Sequence, residues 1–246
     1  MGRLILWLRI IATLILLSLC ALLLLPVAAL TLFRLRRFYS ERFATPFGRL
    51  VLWLWGIHLR IHNPRLFPAH QVVYISNHTS TIDFFALITL GLPNTRFFLS
   101  GYLRKLLPLG VIGYLIGIFW TVPQDKPEQR RKIFQRAGNV LCRSGESVYL
   151  SPEGERVTTG EIGHFNKGAF HLAIALQAPI VPIFIAIPPA INPGRGLNAA
   201  SGIIDVFVLP EIATHSWKLD ELIARKESVR AQFIAWNRAY SGRELA

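Results

Sequence analysis

VVYISNHTSTIDFF, residues 72–85, is the stretch that decides the expected fold. Its first residues, 72–76, form a short run rich in β-branched side chains, which is typical of a buried strand. The residues from Ser80 to Asp83 precede an apolar run and have the pattern of a capping box, which predicts that a helix begins near Ser80. A strand that turns directly into a helix is typical of an α/β domain.

Similar β-branched runs recur along the chain and alternate with helical patterns. Strands are predicted at 96–100, 147–151, 180–185 and 203–209. One helix is predicted over 125–142, with Asp125 and Glu128 as a capping pair, and an amphipathic helix over 217–240. The alternation favours an α/β fold in which helices flank a central sheet that is mixed or mostly parallel.

The first third of this 246-residue chain is unusually apolar. Almost every residue from Ile10 to Phe33 is apolar, and a helix needs about 20 such residues to span a bilayer. We therefore expect a membrane helix, which Pro26 could kink. A cleaved signal peptide is the alternative, but its apolar region is usually only about 7 to 15 residues long.

The net charge is +13, and basic residues crowd directly after the apolar run, at Arg34, Arg36, Arg37, Arg42 and Arg49. By the positive-inside rule, this cluster predicts that everything after Phe33 lies in the cytoplasm. A basic surface suits membrane lipids with anionic headgroups and substrates that carry phosphate. Nucleic acid is the alternative partner, but the chain contains no recognised nucleic-acid module, so we expect none. Two cysteines, Cys20 and Cys142, do not indicate a disulfide framework.

The segment from Leu50 to Ile61 is too short to span a bilayer and contains two tryptophans, which suits a helix in the membrane interface. A core helix is the alternative. We divide the chain into membrane and interfacial helices over 1–61, a folded domain over 62–215, and a C-terminal amphipathic helix over 216–246.

His78 and Asp83 are the first candidate site residues. On a regular helix they would lie about 140° apart, so they meet only if His78 is in the turn and Asp83 in the first helical turn. His78 would then be a general base for a hydroxyl, with its other ring nitrogen held by Asp83. The structural alternative is that Asp83 only caps the helix and His78 is an ordinary loop histidine.

A second candidate stretch is LSPEGER, residues 150–156, after a predicted strand. Pro-Glu-Gly is an ordinary turn sequence, so a solvated loop is one interpretation. However, Arg156 could hold a phosphate through its planar guanidinium, while Gly154 lets the backbone approach. Lys105 and Lys167 are further candidate phosphate contacts, although either could be a solvated surface lysine.

Together these stretches resemble the glycerolipid acyltransferase family, above all the lysophosphatidic acid acyltransferases, over about residues 50–215. The matching blocks are Asn77-His78 with Asp83 for NHxxxxD, 104–110 for the segment that follows it, 152–156 for FPEGTR, 167–169 for its lysine-glycine-alanine, and 181–183 for valine-proline-isoleucine. Each block is short, but their order and spacing together are specific.

The resemblance implies transfer of a fatty acyl group from acyl-CoA or acyl-carrier protein to the free hydroxyl of a lysophospholipid, with lysophosphatidic acid as the expected acceptor. It implies that His78 and Asp83 are the catalytic pair, and that Glu153, Gly154 and Arg156 bind the acceptor headgroup. No metal ion or organic cofactor is implied. The folded domain, 62–215, would be the acyltransferase domain.

Three residues depart from the family pattern. Ser151 and Glu155 replace its phenylalanine and threonine, and Pro123 stands where the family usually has an arginine for the substrate phosphate. Another lysolipid, such as a lyso-ornithine lipid or a lysophospholipid with a larger headgroup, is therefore the alternative acceptor. A catalytically silent lipid-binding membrane protein is the alternative from another class, but such a protein would not need a general base such as His78.

Overall fold

The computed structural model describes residues 2–244; Met1, Leu245 and Ala246, which belong to the predicted terminal segments, lie outside it. The described strands are β1 (Ile57–His62), β2 (Val73–Ser76), β3 (Thr95–Ser100), β4 (Phe119–Thr121), β5 (Ser147–Leu150), β6 (Ile180–Ala186) and β7 (Gly202–Val208). The α-helices are α1 (Arg3–Leu30), α2 (Arg36–Phe38), α3 (Thr45–Leu54), α4 (Asp83–Leu90), α5 (Leu107–Ile116), α6 (Pro127–Ser144), α7 (Gly168–Leu176) and α8 (Leu222–Glu244). A π-helical segment covers Tyr39–Ala44, and short 3-10 helices cover Pro64–Leu66 and Leu103–Lys105.

The strands of the described chain form one sheet in the order β1-β7-β6-β2-β5-β3-β4. From β6 to β4 all neighbouring strands are parallel, whereas β7 is antiparallel to β6 and parallel to β1. Strands β2, β5 and β6 are buried along their whole length, because helices cover both faces of the sheet. The predicted α/β fold with a mixed, mostly parallel sheet is confirmed.

All five predicted strands are present, each within one residue of its predicted ends. The predicted helix over Leu50–Ile61 is wrong in its second half, since α3 ends at Leu54 and β1 begins at Ile57. Gly56 separates them with a φ of 67°, a left-handed conformation that few side chains tolerate. Beyond it the chain gains a full set of strand partners from β7, which the apolar pattern alone could not show.

Two helix starts also differ from the prediction. Helix α6 begins at Pro127, whose missing N–H costs nothing at a first helical position, and Asp125 and Glu128 do not form the predicted cap. Glu128 instead forms an ion pair with Arg131 at 2.7 Å. The last helix begins at Leu222, so Trp217 lies in the turn before it.

Helix α1 is long and apolar enough to cross a membrane, with a mean hydropathy of 2.8 over its candidate spanning window. It runs through Pro26 and begins seven residues earlier than the predicted Ile10. A narrow stripe at helical spacing packs onto α3 and α5; it consists of Leu17, Cys20, Ala21, Leu24 and Ala28. Large side chains outside the stripe, such as Trp7, are exposed. This distribution suggests that the protein is attached to a membrane.

The two faces of the sheet support separate apolar cores. One core lies between the sheet and helices α1, α3, α4 and α5. The other lies between the sheet and helices α6, α7 and α8. Strand residues contribute alternately to the two cores, as Tyr74 and Ile75 do, because successive side chains of a strand point to opposite faces. The membrane-type helix is thus part of one face of the domain.

Phe233 tests how α8 docks, because its side chain is fully buried and packs edge-on against Phe165 at 5.4 Å between ring centroids. Phe233→Ala should lower the free energy of unfolding by about 3 to 5 kcal/mol. In the same helix Ile223 is 57% exposed, and Ile223→Ala should change it by about 0.5 kcal/mol or less. Urea unfolding of the detergent-solubilised variants measures both. Equal losses would contradict this docking of α8.

Candidate active site

The predicted site residues meet at the carboxyl ends of β2 and β5. These strands are neighbours and run parallel, with Ile75 opposite Leu150. Because parallel strands end at the same edge of a sheet, the loop after β2 and the loop after β5 lie side by side. This is the edge at which open α/β sheets usually bind their ligands.

Three hydrogen bonds join the two loops. The backbone N–H of His78 donates to Glu153 Oε2 at 2.5 Å, and the N–H of Val157 donates to the His78 carbonyl at 2.8 Å. The third bond is donated by the Arg156 guanidinium to the hydroxyl of Thr81. The structure therefore brings His78 together with Glu153 and Arg156, which follow it by 75 or more residues in the chain.

His78 and Asp83 are in direct contact, with 2.7 Å between His78 Nδ1 and Asp83 Oδ2. Asp83 is only 1% exposed, whereas the His78 side chain is 29% exposed. A carboxylate can only accept a hydrogen bond, so neutral His78 donates from Nδ1 and presents the lone pair of Nε2. Within the described residues Nε2 makes no hydrogen bond, which leaves it available to a proton of a ligand.

The same carboxylate also shapes the loop. Asp83 Oδ2 accepts the backbone N–H groups of Thr79 at 2.7 Å and Ser80 at 2.9 Å, while Ser80 Oγ accepts the N–H of Ile82 at 3.2 Å. Both side chains therefore bind backbone groups of the turn before α4, which begins at Asp83 rather than near Ser80. Shaping the turn and holding His78 are therefore not alternatives, because one oxygen atom does both.

Asn77 fixes the start of this loop, a role that the sequence did not indicate. Its buried side-chain amide donates to the Ile185 carbonyl and accepts the Ile185 N–H, both at 2.8 Å. Asn77 thus ties the end of β2 to the neighbouring strand β6 in the manner of an extra backbone pair. A single sequence carries no sign of this contact, because its partner lies 108 residues away.

Glu153, which is expected to bind the acceptor headgroup, is almost completely buried. Glu153 is 3% exposed, and its two carboxylate oxygens accept the N–H groups of His78 and Gly163, the latter at 2.7 Å. Burial raises the pKa of Glu153 to about 7, although both backbone N–H groups act in the opposite direction. Glu153 is placed to position the loop that carries His78.

Gly154 adopts a φ of 73°, and its neighbours leave no room for a side chain. A Cβ atom there would lie 2.8 Å from Asn166 Nδ2 and 2.9 Å from Gln124 Nε2. Asn166 donates to the carbonyls of Pro152 and Glu153 at 3.1 and 2.9 Å. Asn166 and Gln124 therefore hold the Gly154 turn, although sequence reasoning assigned neither of them a role.

The basic candidates differ in their placement. Arg156 is half-buried beside the His78 loop, and Lys167 is exposed directly after Asn166. Lys105 lies over the ring of Tyr102, at 5.7 Å from the centroid. Among the described residues Lys105 makes no hydrogen bond or ion pair with the loops around His78.

Arg130 is a further basic candidate that the sequence did not reveal. Its Nη1 donates to the Val122 carbonyl at 2.9 Å, so the half-buried guanidinium lies next to Pro123. Burial lowers the pKa of Arg130. Residues around Arg130 on α6 are mostly charged and exposed, which is why the segment reads as a solvated helix face. The structure therefore places an arginine beside the proline that departs from the family pattern.

No metal-binding cluster accompanies these residues: between residues 2 and 244, no three or more His, Cys, Asp or Glu side chains are grouped to hold a metal ion. Cys142 lies exposed on α6, and Cys20 is buried on α1.

The raised pKa of Glu153 predicts a pH-dependent stability. Because this pKa exceeds the usual 4.5, the folded protein binds the proton more tightly than the unfolded chain does. The resulting stabilisation is complete below pH 4.5 and is lost as the pH rises through about 7. Relative to Glu153→Gln, the wild-type free energy of unfolding should fall over this range, as measured by urea unfolding at several pH values. A difference that stays constant would contradict the raised pKa.

Comparison with known proteins adds sequence relatives and a related fold. A family model described as Acyltransferase matches residues 58–186, just over half of the chain. Human 1-acyl-sn-glycerol-3-phosphate acyltransferase beta is 31% identical over 172 residues, which cover 68% of this chain and 60% of that protein. The bovine alpha enzyme is 28% identical over 188 residues, which cover 75% and 64%. The chain thus spans less than two thirds of the length of these curated relatives.

Among solved structures, the 1-acyl-sn-glycerophosphate (LPA) acyltransferase from Thermotoga maritima has a similar fold. The TM-score is 0.66 at 17% sequence identity, and the match covers 90% of this chain and 96% of that chain. At this identity the likeness concerns the fold alone.

Proposed function

This chain belongs to the acyltransferase family, and we propose that it transfers a fatty acyl group from acyl-CoA or acyl-carrier protein to the free hydroxyl of lysophosphatidic acid, giving phosphatidic acid. The observation that carries this proposal is the 2.7 Å contact between His78 Nδ1 and Asp83, which leaves Nε2 free to take a proton. The human and bovine relatives are named for 1-acyl-sn-glycerol-3-phosphate, which supports this acceptor.

In the proposed reaction, His78 Nε2 takes the proton of the acceptor hydroxyl while the hydroxyl oxygen attacks the thioester carbonyl. Asp83 holds the imidazole ring and offsets the positive charge that develops on it. The tetrahedral intermediate then expels the thiolate, which receives the proton from His78. A thiolate is a good leaving group, so the acyl group can pass directly to the acceptor without a covalent acyl-enzyme.

Glu153 acts in this proposal as a positioning residue. Its bond to the His78 backbone is supported from the opposite side by α8, because Arg230 donates to the carbonyls of Gly163 at 2.6 Å and Ile162 at 3.0 Å. The N–H of Gly163 in turn donates to Glu153. The C-terminal helix therefore contributes to the site without a residue that faces the substrate.

An apolar cleft beside α4 supports a fatty acyl substrate. Phe84 and Phe85, which follow Asp83 directly, line it together with Leu17 of α1 and Ile112 of α5. The cleft lies on the face of the sheet to which α1 is packed. We propose that the acyl chain enters along this cleft, whose lining includes Phe84, the residue directly after Asp83.

For the acceptor phosphate we propose Arg156, with Gly154, Lys167 and Arg130 around it. Arg156 is bonded to Thr81 in the loop that carries His78, so a phosphate on its guanidinium would lie close to the base. Gly154 lets the ligand approach the backbone. Arg130 offers the charge that Pro123 cannot supply. Lys105 remains a candidate for a more distant contact.

We further propose that α1 anchors the protein in the cytoplasmic membrane and that the domain faces the cytoplasm. Arginines that follow α1 support this orientation through the positive-inside rule. Both proposed donors and the membrane lipids are accessible from that side.

Replacing His78 and Asp83 distinguishes their proposed catalytic role from a role in the fold. His78→Ala should lower the rate of acyl transfer by about 10² to 10⁴-fold, because the base is lost. Asp83→Asn should also lose most activity but keep its helix start, since asparagine caps well. The transfer rate from labelled acyl-CoA and the thermal midpoint in detergent give the two readouts. Asp125→Asn, an exposed acid elsewhere, is the control. Wild-type rates in His78→Ala would refute the mechanism.

Arg156 tests the acceptor. A charge-assisted hydrogen bond is worth about 1.5 to 3 kcal/mol, so Arg156→Ala should lower kcat/KM for lysophosphatidic acid about 10 to 150-fold. Arg156→Lys should recover only part of this loss, because lysine lacks the planar fork. The same measurement with Arg130→Gln asks whether Arg130 shares the phosphate, and exposed Arg65→Gln is the control.

The ratio of kcat/KM for lysophosphatidic acid and for a lyso-ornithine lipid completes the acceptor test. Wild type should prefer lysophosphatidic acid, and Arg156→Ala should reduce that preference. Should wild type accept only the phosphate-free lipid, with an unchanged ratio in Arg156→Ala, the phosphate assignment would be wrong and the lyso-ornithine lipid would replace it. Pro123 in place of the usual arginine is the observation that favours this second acceptor.

A further inference from the structure

An open groove of about 750 Å³ lies where the chain leaves α1. We call it the basic groove and define it by its charged residues, which are Arg34, Arg36, Arg37, Glu41, Arg42, Arg96 and Glu146. It opens beside the first residues of β3 and the last residues of α6. These residues mark the amino-terminal edge of the parallel strands, whereas His78 follows the carboxyl end of β2. The basic groove is therefore separate from the candidate active site.

The basic groove has an excess of positive charge, since five arginines face two glutamates. Both glutamates are already engaged. Glu146 binds Arg96, with 2.7 Å between Arg96 Nε and Glu146 Oε2, and Glu41 binds Arg37 at 2.9 Å and the Asn94 N–H at 3.0 Å. The other three arginines are exposed and form no ion pair within the described chain; they are Arg34, Arg36 and Arg42.

Arg96 forms the buried part of the basic groove. Arg96 is only 8% exposed, because Glu146 fixes its guanidinium and the ring of Phe119 lies 5.5 Å away. Gly117 brings a second arginine against it: a Cβ atom there would lie 3.2 Å from Arg96 Nη1 and 3.3 Å from Arg36 Cδ. The side chains of Arg36 and Arg96 therefore both lie beside Gly117, which places two positive charges close together.

Apolar side chains alternate with the exposed arginines. Phe33, Leu35 and Phe38 are 49%, 48% and 43% exposed, and they directly follow the membrane-type helix α1. In a bilayer, aromatic and aliphatic side chains settle at the boundary of the acyl chains while arginines remain at the level of the phosphates. A nucleic acid or a free phosphate would leave these apolar side chains in water. The pattern therefore favours a ligand with both a phosphate and acyl chains.

We propose that the basic groove binds the headgroup phosphate of an anionic phospholipid of the surrounding membrane. The lipid would be bridged by Arg34, Arg36 and Arg42 over the fixed Arg96, with its acyl chains beside Phe33 and Phe38. Binding holds the amino-terminal edge of the sheet at the membrane surface, next to the end of α1. This lipid is neither acceptor nor product, and the site does not depend on the proposed acyl transfer.

The test uses full-length protein in a neutral detergent and follows its thermal midpoint with dihexanoyl phosphatidylglycerol, dihexanoyl phosphatidylcholine or inorganic phosphate. A ligand that binds only the folded state raises the midpoint by mass action. Phosphatidylglycerol should raise it by about 3 °C at ten times the dissociation constant. Phosphatidylcholine and inorganic phosphate should have little effect. An equal rise with inorganic phosphate would overturn the lipid and leave only an anion site.

The variant Arg34→Gln/Arg36→Gln/Arg42→Gln should lose the response to phosphatidylglycerol. The control Arg65→Gln/Lys132→Gln/Arg136→Gln removes the same charge from exposed positions elsewhere and should keep the response. A response that both triple variants lose, or that both retain, would overturn the proposal. Replacing the three groove arginines with lysine should restore part of the shift and shows that the loss is not caused by misfolding.

Activity distinguishes this proposal from the proposed function. In neutral detergent without added phosphatidylglycerol, the groove triple variant should transfer acyl groups at the wild-type rate, because the groove lies at the other edge of the sheet. His78→Ala should respond to phosphatidylglycerol like wild type. If acyl transfer fails in every assay while the lipid response persists, only the proposed function is wrong. If the response is absent from active wild-type protein, only the groove proposal is wrong.

Discussion

Asp83 Oδ2 receives three hydrogen bonds at one buried point, and the shape of the candidate site depends on them. A carboxylate taken out of water is costly unless donors surround it, and here two backbone N–H groups and His78 Nδ1 surround it. The backbone donors force the chain after β2 into a tight turn, and that turn aims the imidazole outward. Loop shape and the orientation of the His78 ring are therefore a single constraint rather than two separate features.

The parallel sheet extends this constraint to the rest of the molecule. Because β2 and β5 end side by side, Glu153 can reach the backbone of His78, and Asn77 can pair with Ile185 on the other side. The buried Glu153 carboxyl is another group that needs hydrogen-bond donors, and it lies next to the His78 backbone. Gly163 donates to it, and Arg230 of α8 in turn donates to the Gly163 carbonyl. Segments that are distant in the sequence thus support the loop that carries His78. Arg156, which is bonded to Thr81 in this loop, is the residue proposed to bind the acceptor phosphate.

Helix α1 and the apolar cleft lie on the same face of the sheet, but the basic groove and the candidate active site lie at opposite edges. Helix α1 packs through a narrow stripe of small and aliphatic residues onto the same core as α4, and both helices line the apolar cleft. Arginines that follow α1 gather at the opposite edge, around the buried pair of Arg96 and Glu146. This arrangement lets the protein meet lipid phosphate at two separate places, one proposed for turnover and one for attachment.

The sequence by itself determined what local periodicity encodes: five strands to within one residue, the long apolar helix, and the turn in which His78 could meet Asp83, five residues away. Only the tertiary structure decided the edge strands β1 and β4, because each of these segments forms a strand by pairing with a neighbouring strand, β7 and β3 respectively. The tertiary structure also decided the burial of Glu153, the position of Arg130 beside Pro123 and the approach of Arg36 to Arg96. Each of these depends on burial or on contacts between distant segments, and no local pattern of residues records which distant segment will arrive.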